Sequence, residues 1–331
     1  MQHKLNIKPF QSTIEDAMYL STVAASNNLL SLKKGAIKDN GLSQFALKYE
    51  AAGKIRVFAL VDSCTQSVLS PLHKALFSII QTIPNDGTFD QESSARRAVD
   101  KSLKYGLAYS FDLSAATDRL PVDLTGSILE YLSGIPGFGD KWKNILVDRS
   151  YTFSTADSRK LKLKEDQWYL KYSVGQPMGA LSSWAGLAIT HHFIVQHCAR
   201  NLGYAARYDR YEILGDDLVI FDTPLSEEYL RVMKLLGLEI NLSKSIVSPK
   251  TPAFEYAKRT YFNGVNVSAV PCKMFFTANS LSGRISLGCT ALNAYRFKTV
   301  SVLGSLLQRC GPNLDFSKLG FESLGTLSQL S

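Results

Sequence analysis

Two adjacent carboxylates between two short apolar runs, Tyr211-Glu212-Ile213-Leu214-Gly215-Asp216-Asp217-Leu218-Val219-Ile220-Phe221, constrain this chain more than any other stretch. Runs of that length, rich in Ile, Val, Tyr and Phe, form strands, and a Gly-Asp pair between them is the chemistry of a tight hairpin turn. The segment is expected to hold Asp216 and Asp217 at the tip of a buried hairpin. Two such charges ~4 Å apart repel by roughly 4 kcal/mol at an effective dielectric near 20. A cation between them offsets that repulsion, and hard oxygen ligands favour Mg²⁺. Taken alone, the stretch is equally compatible with a solvated turn, so the remainder of the chain has to decide.

At 331 residues the chain exceeds the roughly 250–300 at which single cores stop growing. A formal charge of +8 and a pI near 9.1 point to a polyanionic partner, RNA or DNA before a membrane surface. Cys64, Cys198, Cys272, Cys289 and Cys310 are odd in number and never spaced as Cys-x-x-Cys. Reduced thiols in an intracellular compartment are expected, without a disulfide frame or zinc knuckle. No apolar run reaches the ~18 residues of a membrane span; residues 181–195 come nearest and are broken by His191-His192. The N-terminal MQHKLNIKPFQ has neither a secretory apolar core nor the Arg of an import presequence.

In chain order, residues 14–32 have helical spacing and run into Lys33-Lys34-Gly35. In Gly53-Lys54-Ile55-Arg56-Val57-Phe58-Ala59 a strand sets Lys54 and Arg56 on one face, either for a triphosphate or simply as a solvated face. A helix is expected over 70–82, then a turn at Pro84-Asn85-Asp86-Gly87. An amphipathic helix over 91–105 carries Arg96, Arg97, Lys101 and Lys104 and closes at Gly106. The buried strand over 107–113 delivers Asp112, and Asp118 follows six residues on, just before a helix begun by Pro121. Both carboxylates then sit at one sheet edge, where ligands collect on such folds.

Residues 134–173 form an insertion off the sheet, with a short helix to 148 and a hairpin near 159–172. The loop Gly175-Gln176-Pro177-Met178-Gly179 runs into a helix over 181–199 carrying Ser182, Ser183 and Trp184, an arrangement that lets backbone approach a nucleotide. His191 and His192 on that helix are either structural or metal ligands. A helix over 225–236, a strand over 239–247 carrying Lys244, and a hairpin over 254–267 turning at Asn263-Gly264 follow. From Pro271 the pattern is helical and basic.

Taken together, these landmarks resemble the ordered motifs of viral RNA-dependent RNA polymerases, and most nearly the mitovirus branch of the narnavirus-like group. The matching stretches are GKIRVFA, FDLSAATDRLP, GQPMGALSSWAGLAITHH, YEILGDD, GLEINLSKS and FEYAKRTYFNG. The resemblance implies an α+β right-hand polymerase with an antiparallel palm sheet backed by helices. Its implied domains are fingers over 1–106, palm over 107–133, a fingers insertion over 134–174, palm again over 175–270, and a partial thumb over 271–331.

The implied reaction is template-directed nucleotidyl transfer to an RNA 3′ end. Asp112 and Asp216 would hold two Mg²⁺ ions about 3.5–4 Å apart, Mn²⁺ being the substitute, with Asp217 in support. Asp118 would accept from the ribose 2′-hydroxyl, and Lys54 and Arg56 would neutralise the triphosphate. Lys244 is implied as proton donor to pyrophosphate. Gly175, Gln176, Gly179, Lys258 and Arg259 would contact RNA. Many positive-strand polymerases place an Asn where this chain has Leu187, so Ser182 or Ser183 would assist Asp118 in sugar selection. Implied partners are RNA template, RNA product and nucleoside triphosphates, and no feature demands a protein partner.

Mitovirus polymerases extend beyond this core on both sides, so the chain resembles a truncated or mitochondrially encoded copy, with the mitochondrion as its implied location. Two alternatives belong to other classes. One is a non-catalytic RNA-binding remnant. The other is a reverse transcriptase, whose hairpin usually has Ala, Val or Met where Gly215 stands.

Overall fold

A computed structural model describes residues 43–49, 55–164, 169–268 and 283. Lys54, the expected helix over 14–32 and, Gly283 apart, the basic stretch from Pro271 lie outside the described residues. Strand β1 (Gln44–Tyr49) pairs antiparallel with β2 (Ile55–Leu60). On β2, Arg56 is half-buried while Ile55 and Val57 are exposed, so the cation-bearing face is the more covered one. Helix α1 (Ser63–Ile80) begins well before residue 70, because Asp62 caps it by accepting from the Thr65 N–H. Pro71 lies inside α1; its one missing donor is outweighed by the buried stripe Leu69, Leu72, Leu76 and Ile80. Helix α2 (Gln91–Tyr105) has the limits its sequence predicts, ended by left-handed Gly106, and Asp90 caps its start.

Strand β3 (Ala108–Phe111) is buried throughout and leads to the short α3 (Ala116–Arg119) and to α4 (Val122–Ser133). Helix α5 (Phe138–Val147) packs on α4. Then β4 (Tyr151–Phe153), α6 (Thr155–Lys160) and β5 (Tyr169–Leu170) form an excursion. The expected hairpin near 159–172 is thus a strand pair, Tyr151↔Leu170, with a helical turn between its arms. That turn forms because Ser154 accepts from the Asp157 N–H as a cap, an alternative to ladder pairing that strand periodicity cannot reveal. β4 and β5 join the sheet β2-β1-β4-β5, away from the carboxylate hairpin.

Helix α7 (Ser183–Asn201), strands β6 (Tyr211–Leu214) and β7 (Asp217–Ile220), and helix α8 (Thr223–Leu235) complete the centre. Strand β8 (Ile246–Ser248) closes an antiparallel sheet of order β6-β7-β3-β8. Of the expected 239–247 strand only Ile246 and Val247 fall within β8. Asn241 accepts from the Lys244 and Ser245 N–H groups and turns the chain, so Lys244 stands on a turn. Finally β9 (Ala253–Tyr256), β10 (Arg259–Phe262) and β11 (Val265–Asn266) form a meander. One turn lies at Asn263-Gly264, as the sequence predicts, and another at Ala257-Lys258. Both Ala257 and Lys258 have positive φ without the usual turn residues, which is why pattern reading passes over that bend.

The central sheet is buried on both faces. Tyr211, Ile213, Leu218, Ile220 and Phe111 pack against Ile194, Val195, Tyr229 and Met233 of α7 and α8. Val219 and Phe221 pack against Ala95 and Ala98 of α2 and Phe254, Tyr256 and Tyr261 of the meander. A further core joins α1, α4 and α5 to the start of α7. Helix α7 therefore touches two cores and is buried nearly all round, Thr190, His191 and His192 included.

Candidate active site

The pair Leu214↔Asp217 leaves Gly215 and Asp216 as a two-residue turn. Gly215 has φ 63 and no other residue of the turn has positive φ, the pattern of a type II′ hairpin with glycine first. Space is tight as well: a Cβ here would lie 3.0 Å from the Trp184 indole, which would have to give by a few tenths of an ångström. Across the sheet Phe111 pairs with Leu218, so the next step of the antiparallel ladder brings Asp112 beside Asp217. Opposed residues in such ladders have Cα atoms roughly 4.5–5.5 Å apart. The register thus brings three acids from two distant segments to the same end of the sheet, near enough for Asp112 and Asp216 to act electrostatically on Asp217.

Asp112 and Asp216 are exposed and Asp217 is half-buried. Burial pushes the Asp217 carboxyl up to about 6, and the charges of Asp216, Glu255 and Asp112 add to this against a hydrogen bond from the Ala257 amide. A donor set of mutually repelling carboxylate oxygens fits a hard divalent cation. Among the described residues no three His, Cys, Asp or Glu side chains form a preassembled cage. Mg²⁺ seldom requires one, since it usually takes one or two carboxylates and completes its shell with water and substrate phosphates.

A stability prediction follows from Asp217. Its folded pKa is raised, so between pH ~4 and ~6 the folded chain holds a proton that the unfolded chain releases, and this group's contribution falls as pH rises through that window. Without divalent ions, Asp217→Asn should be more stable than the parent at pH 7, on the order of 1 kcal/mol after solvent screening, and nearly equal at pH 4. Urea unfolding in chelator at both pH values measures the difference.

The backbone around Asp112 is held by the turn that carries Lys244. The Asp112 N–H donates to Ser245 Oγ at 3.0 Å, and the Asn241 N–H donates to the Asp112 carbonyl at 2.9 Å. Lys244 itself is exposed on that turn. Asp118 lies at the glycine loop: a Cβ on Gly175 would fall 2.3 Å from the Asp118 carbonyl carbon, and the Gln176 N–H donates to Thr117 O. The Tyr172 hydroxyl donates to Asp118 Oδ1 at 3.3 Å.

The other residues of that loop face inward. Gln176 is buried, its amide donating to the Ser183 carbonyl, while Gly179 donates to Ala59 O and its own carbonyl accepts from Gln66. Ser182 is fully buried, its hydroxyl accepting from Trp142 Nε1 at 2.9 Å. Ser183 is equally buried, and its hydroxyl finds no partner among the described residues. Neither serine lies open to solvent beside the acids. Lys258 is exposed at the meander turn, and Arg259 pairs with Glu92 of α2.

Two buried polar features brace the site, of which only the histidine pair was marked by the sequence. His191 and His192 are both buried with both ring nitrogens hydrogen-bonded, His192 to Tyr211 Oη and Asp86 and His191 to Gly215 O and Tyr229 Oη. That is the structural reading of the pair. Glu212, inside an apolar strand, has a fully buried side chain that meets Arg97 and Lys101 of α2. The available signal was a charged residue in a buried run together with two cations at i and i+4 on an amphipathic helix.

A family profile described as Mitovirus RNA-dependent RNA polymerase matches residues 4–308. The RNA-directed RNA polymerase of Cryphonectria parasitica mitovirus 1 is 36% identical over 260 residues, covering 77% of this chain and 29% of that protein. The chain thus spans less than a third of that relative. An uncharacterized mitochondrial protein of Arabidopsis thaliana is 32% identical over 225 residues, 67% of this chain and 83% of that one. The RNA-dependent RNA polymerase of a human picorbirnavirus superposes with a TM-score of 0.55 at 15% identity, over 87% of this chain and 58% of the other. A telomerase from Candida albicans superposes at 0.51 with 13% identity, over 89% and 62%. Likeness at these identities concerns the fold alone, and the fold is the α+β right-hand polymerase architecture with an antiparallel central sheet.

Proposed function

The chain belongs to the mitovirus RNA-dependent RNA polymerase family, and on that premise we propose that it transfers nucleotides from nucleoside triphosphates to an RNA 3′ end under template direction. The observation that carries this is the β3–β7 register, with Asp112 one step beyond Phe111↔Leu218 and Asp217 one step before it. Asp112 and Asp216 would hold two Mg²⁺ ions, or Mn²⁺ in their place, and Asp217 would support them from its half-buried position. When bound, the ions supply Lewis-acid stabilisation of charge on the reacting phosphate oxygens.

The chain's own groups would do the rest. Asp118 accepts from the ribose 2′-hydroxyl beside the Gly175 loop, and Ser182 and Ser183 act on the sugar only through that loop, which they brace from within. Arg56 and Lys54 offset triphosphate charge. Lys244, on the turn that holds Asp112, gives a proton to the departing pyrophosphate. Gly175, Gln176 and Gly179 shape the loop along which RNA passes, and Lys258 and Arg259 lie toward the RNA backbone. In this reading fingers comprise 1–106 and 134–174, palm 107–133 and 175–270, and a partial thumb 271–331. The likeness to mitochondrial proteins of Arabidopsis thaliana supports a mitochondrial location.

The test is incorporation by the purified chain on a primed RNA template with Mg²⁺. Extension with ribonucleotides, and little with deoxyribonucleotides, is the expected result. Salt-sensitive RNA binding without extension would instead mark a protein that keeps phosphate contacts and lacks the chemistry. Efficient use of deoxyribonucleotides would mark a reverse transcriptase.

A further inference from the structure

Helix α7 passes beneath the Asp216 turn, where Trp184 packs against Gly215 and His191 makes a hydrogen bond to it. The His191 ring is 2% exposed, with Nδ1 2.8 Å from Gly215 O and Nε2 2.8 Å from Tyr229 Oη. A carbonyl oxygen only accepts, so the proton sits on Nδ1 and Nε2 accepts from the Tyr229 hydroxyl. Burial lowers the His191 pKa to about 4, which keeps the ring neutral and able to hold that tautomer near neutral pH. On its far side the Tyr229 ring stacks on Phe111, centroids 5.8 Å apart and planes 15° apart. Phe111 immediately precedes Asp112, and Gly215 immediately precedes Asp216.

One hydrogen-bonded pair therefore reaches the residue before each of two carboxylates that come from distant segments. The Gly215 carbonyl belongs to the peptide from which Asp216 departs, so a bond to it sets the plane of that peptide. Glycine with positive φ is the most deformable residue the turn could have, and it gains most from an outside restraint. A packing residue alone would need no polar atoms here, whereas both nitrogens of His191 are matched to partners on different elements.

Resting on the metal reading above, we propose that His191, with Tyr229, is a positioning residue that clasps the Asp112 strand end to the Asp216 turn and so sets divalent-ion affinity. It touches neither substrate nor ion and acts through Gly215 and Phe111. Outer partners that orient metal ligands typically change affinity or activity by about 10–100-fold when lost.

The experiment is Mn²⁺ binding to the full chain by electron paramagnetic resonance, with thermal melting of each variant as the check on folding. Asn can place an amide N–H where Nδ1–H stands, whereas Gln reaches only the Nε2 position. His191→Gln is expected to weaken binding roughly 10-fold or more, and His191→Asn to restore most of it. Tyr229→Phe, which removes one hydroxyl and frees the tautomer, should shift binding in the same direction, and it carries the comparison if His191→Gln does not fold. Asn and Gln variants that are equally weak, or binding unchanged in every variant while Asp216→Ala abolishes it, would overturn the clasp alone. Parent binding no stronger than that of Asp216→Ala would remove the metal reading, and the clasp with it.

Discussion

Asp216→Ala is expected to lower ribonucleotide incorporation by about 10³-fold or more, the several kcal/mol that a lost charge-stabilising ion represents in a transition state. RNA binding should survive, because the cations that meet phosphate are untouched, and removing one of three repelling carboxylates favours a polyanion. The turn itself should also survive. Asp216 is exposed and occupies the second turn position, while the conformational demand falls on Gly215 with its φ of 63. Primer extension and filter binding on the same preparation separate the two effects. A variant that extends primers within about tenfold of the parent would discard the assignment of Asp216, since no ordinary packing change spans such a gap in the other direction.

Glu212→Ala is expected to cost about 3–5 kcal/mol of folding stability, the range for removing one member of a buried ion pair. The Glu212 side chain has no solvent exposure and accepts from Arg97 Nε and Nη2 at 3.1 and 2.8 Å, Lys101 Nζ at 2.8 Å and Ser94 Oγ at 2.7 Å. Its removal leaves two cations facing each other over a void, and Lys101 is only 18% exposed. Arg97→Ala should cost less, because Lys101 still neutralises the carboxylate and Arg97 is already 37% exposed. Urea unfolding of both variants gives the comparison. A Glu212→Ala loss below about 1 kcal/mol would show that the network is no more than a surface pair. Because Glu212 lies one strand length from the Asp216 turn, activity should fall with it, and Asp216→Ala should show the opposite balance of lost activity and kept stability.

Those two residues differ in how far they could be read before any fold was known. Asp216 announces itself because glycine, two carboxylates and flanking β-branched residues are a local code, satisfied within a dozen residues. Glu212 sits four residues away and looks like an interruption of a strand. Its meaning depends on α2, whose arrival on that face of the sheet no local pattern specifies. Lys244 shows the same limit: β-branched neighbours suggest a strand, yet Asn241 and Ser245 bend the chain and bond the Asp112 backbone. Ser182 appears available beside a glycine loop, and only packing shows its hydroxyl taken by Trp142.

By itself, then, the order of residues determined the hairpin and its turn, the limits of α2, the strand that delivers Asp112 and the family to which the chain belongs. The local features rest on periodicity, caps and turn chemistry, whose range is a few residues, while the family is carried by six stretches resembling it in order along the chain. The tertiary structure alone decided that Asp112 stands beside Asp217, that Glu212 meets Arg97 and Lys101, and that His191 reaches Gly215. Each of these joins segments far apart in sequence. Their registry is set by which faces of one sheet are buried against which helices, a collective property of the packed core that no single stretch contains.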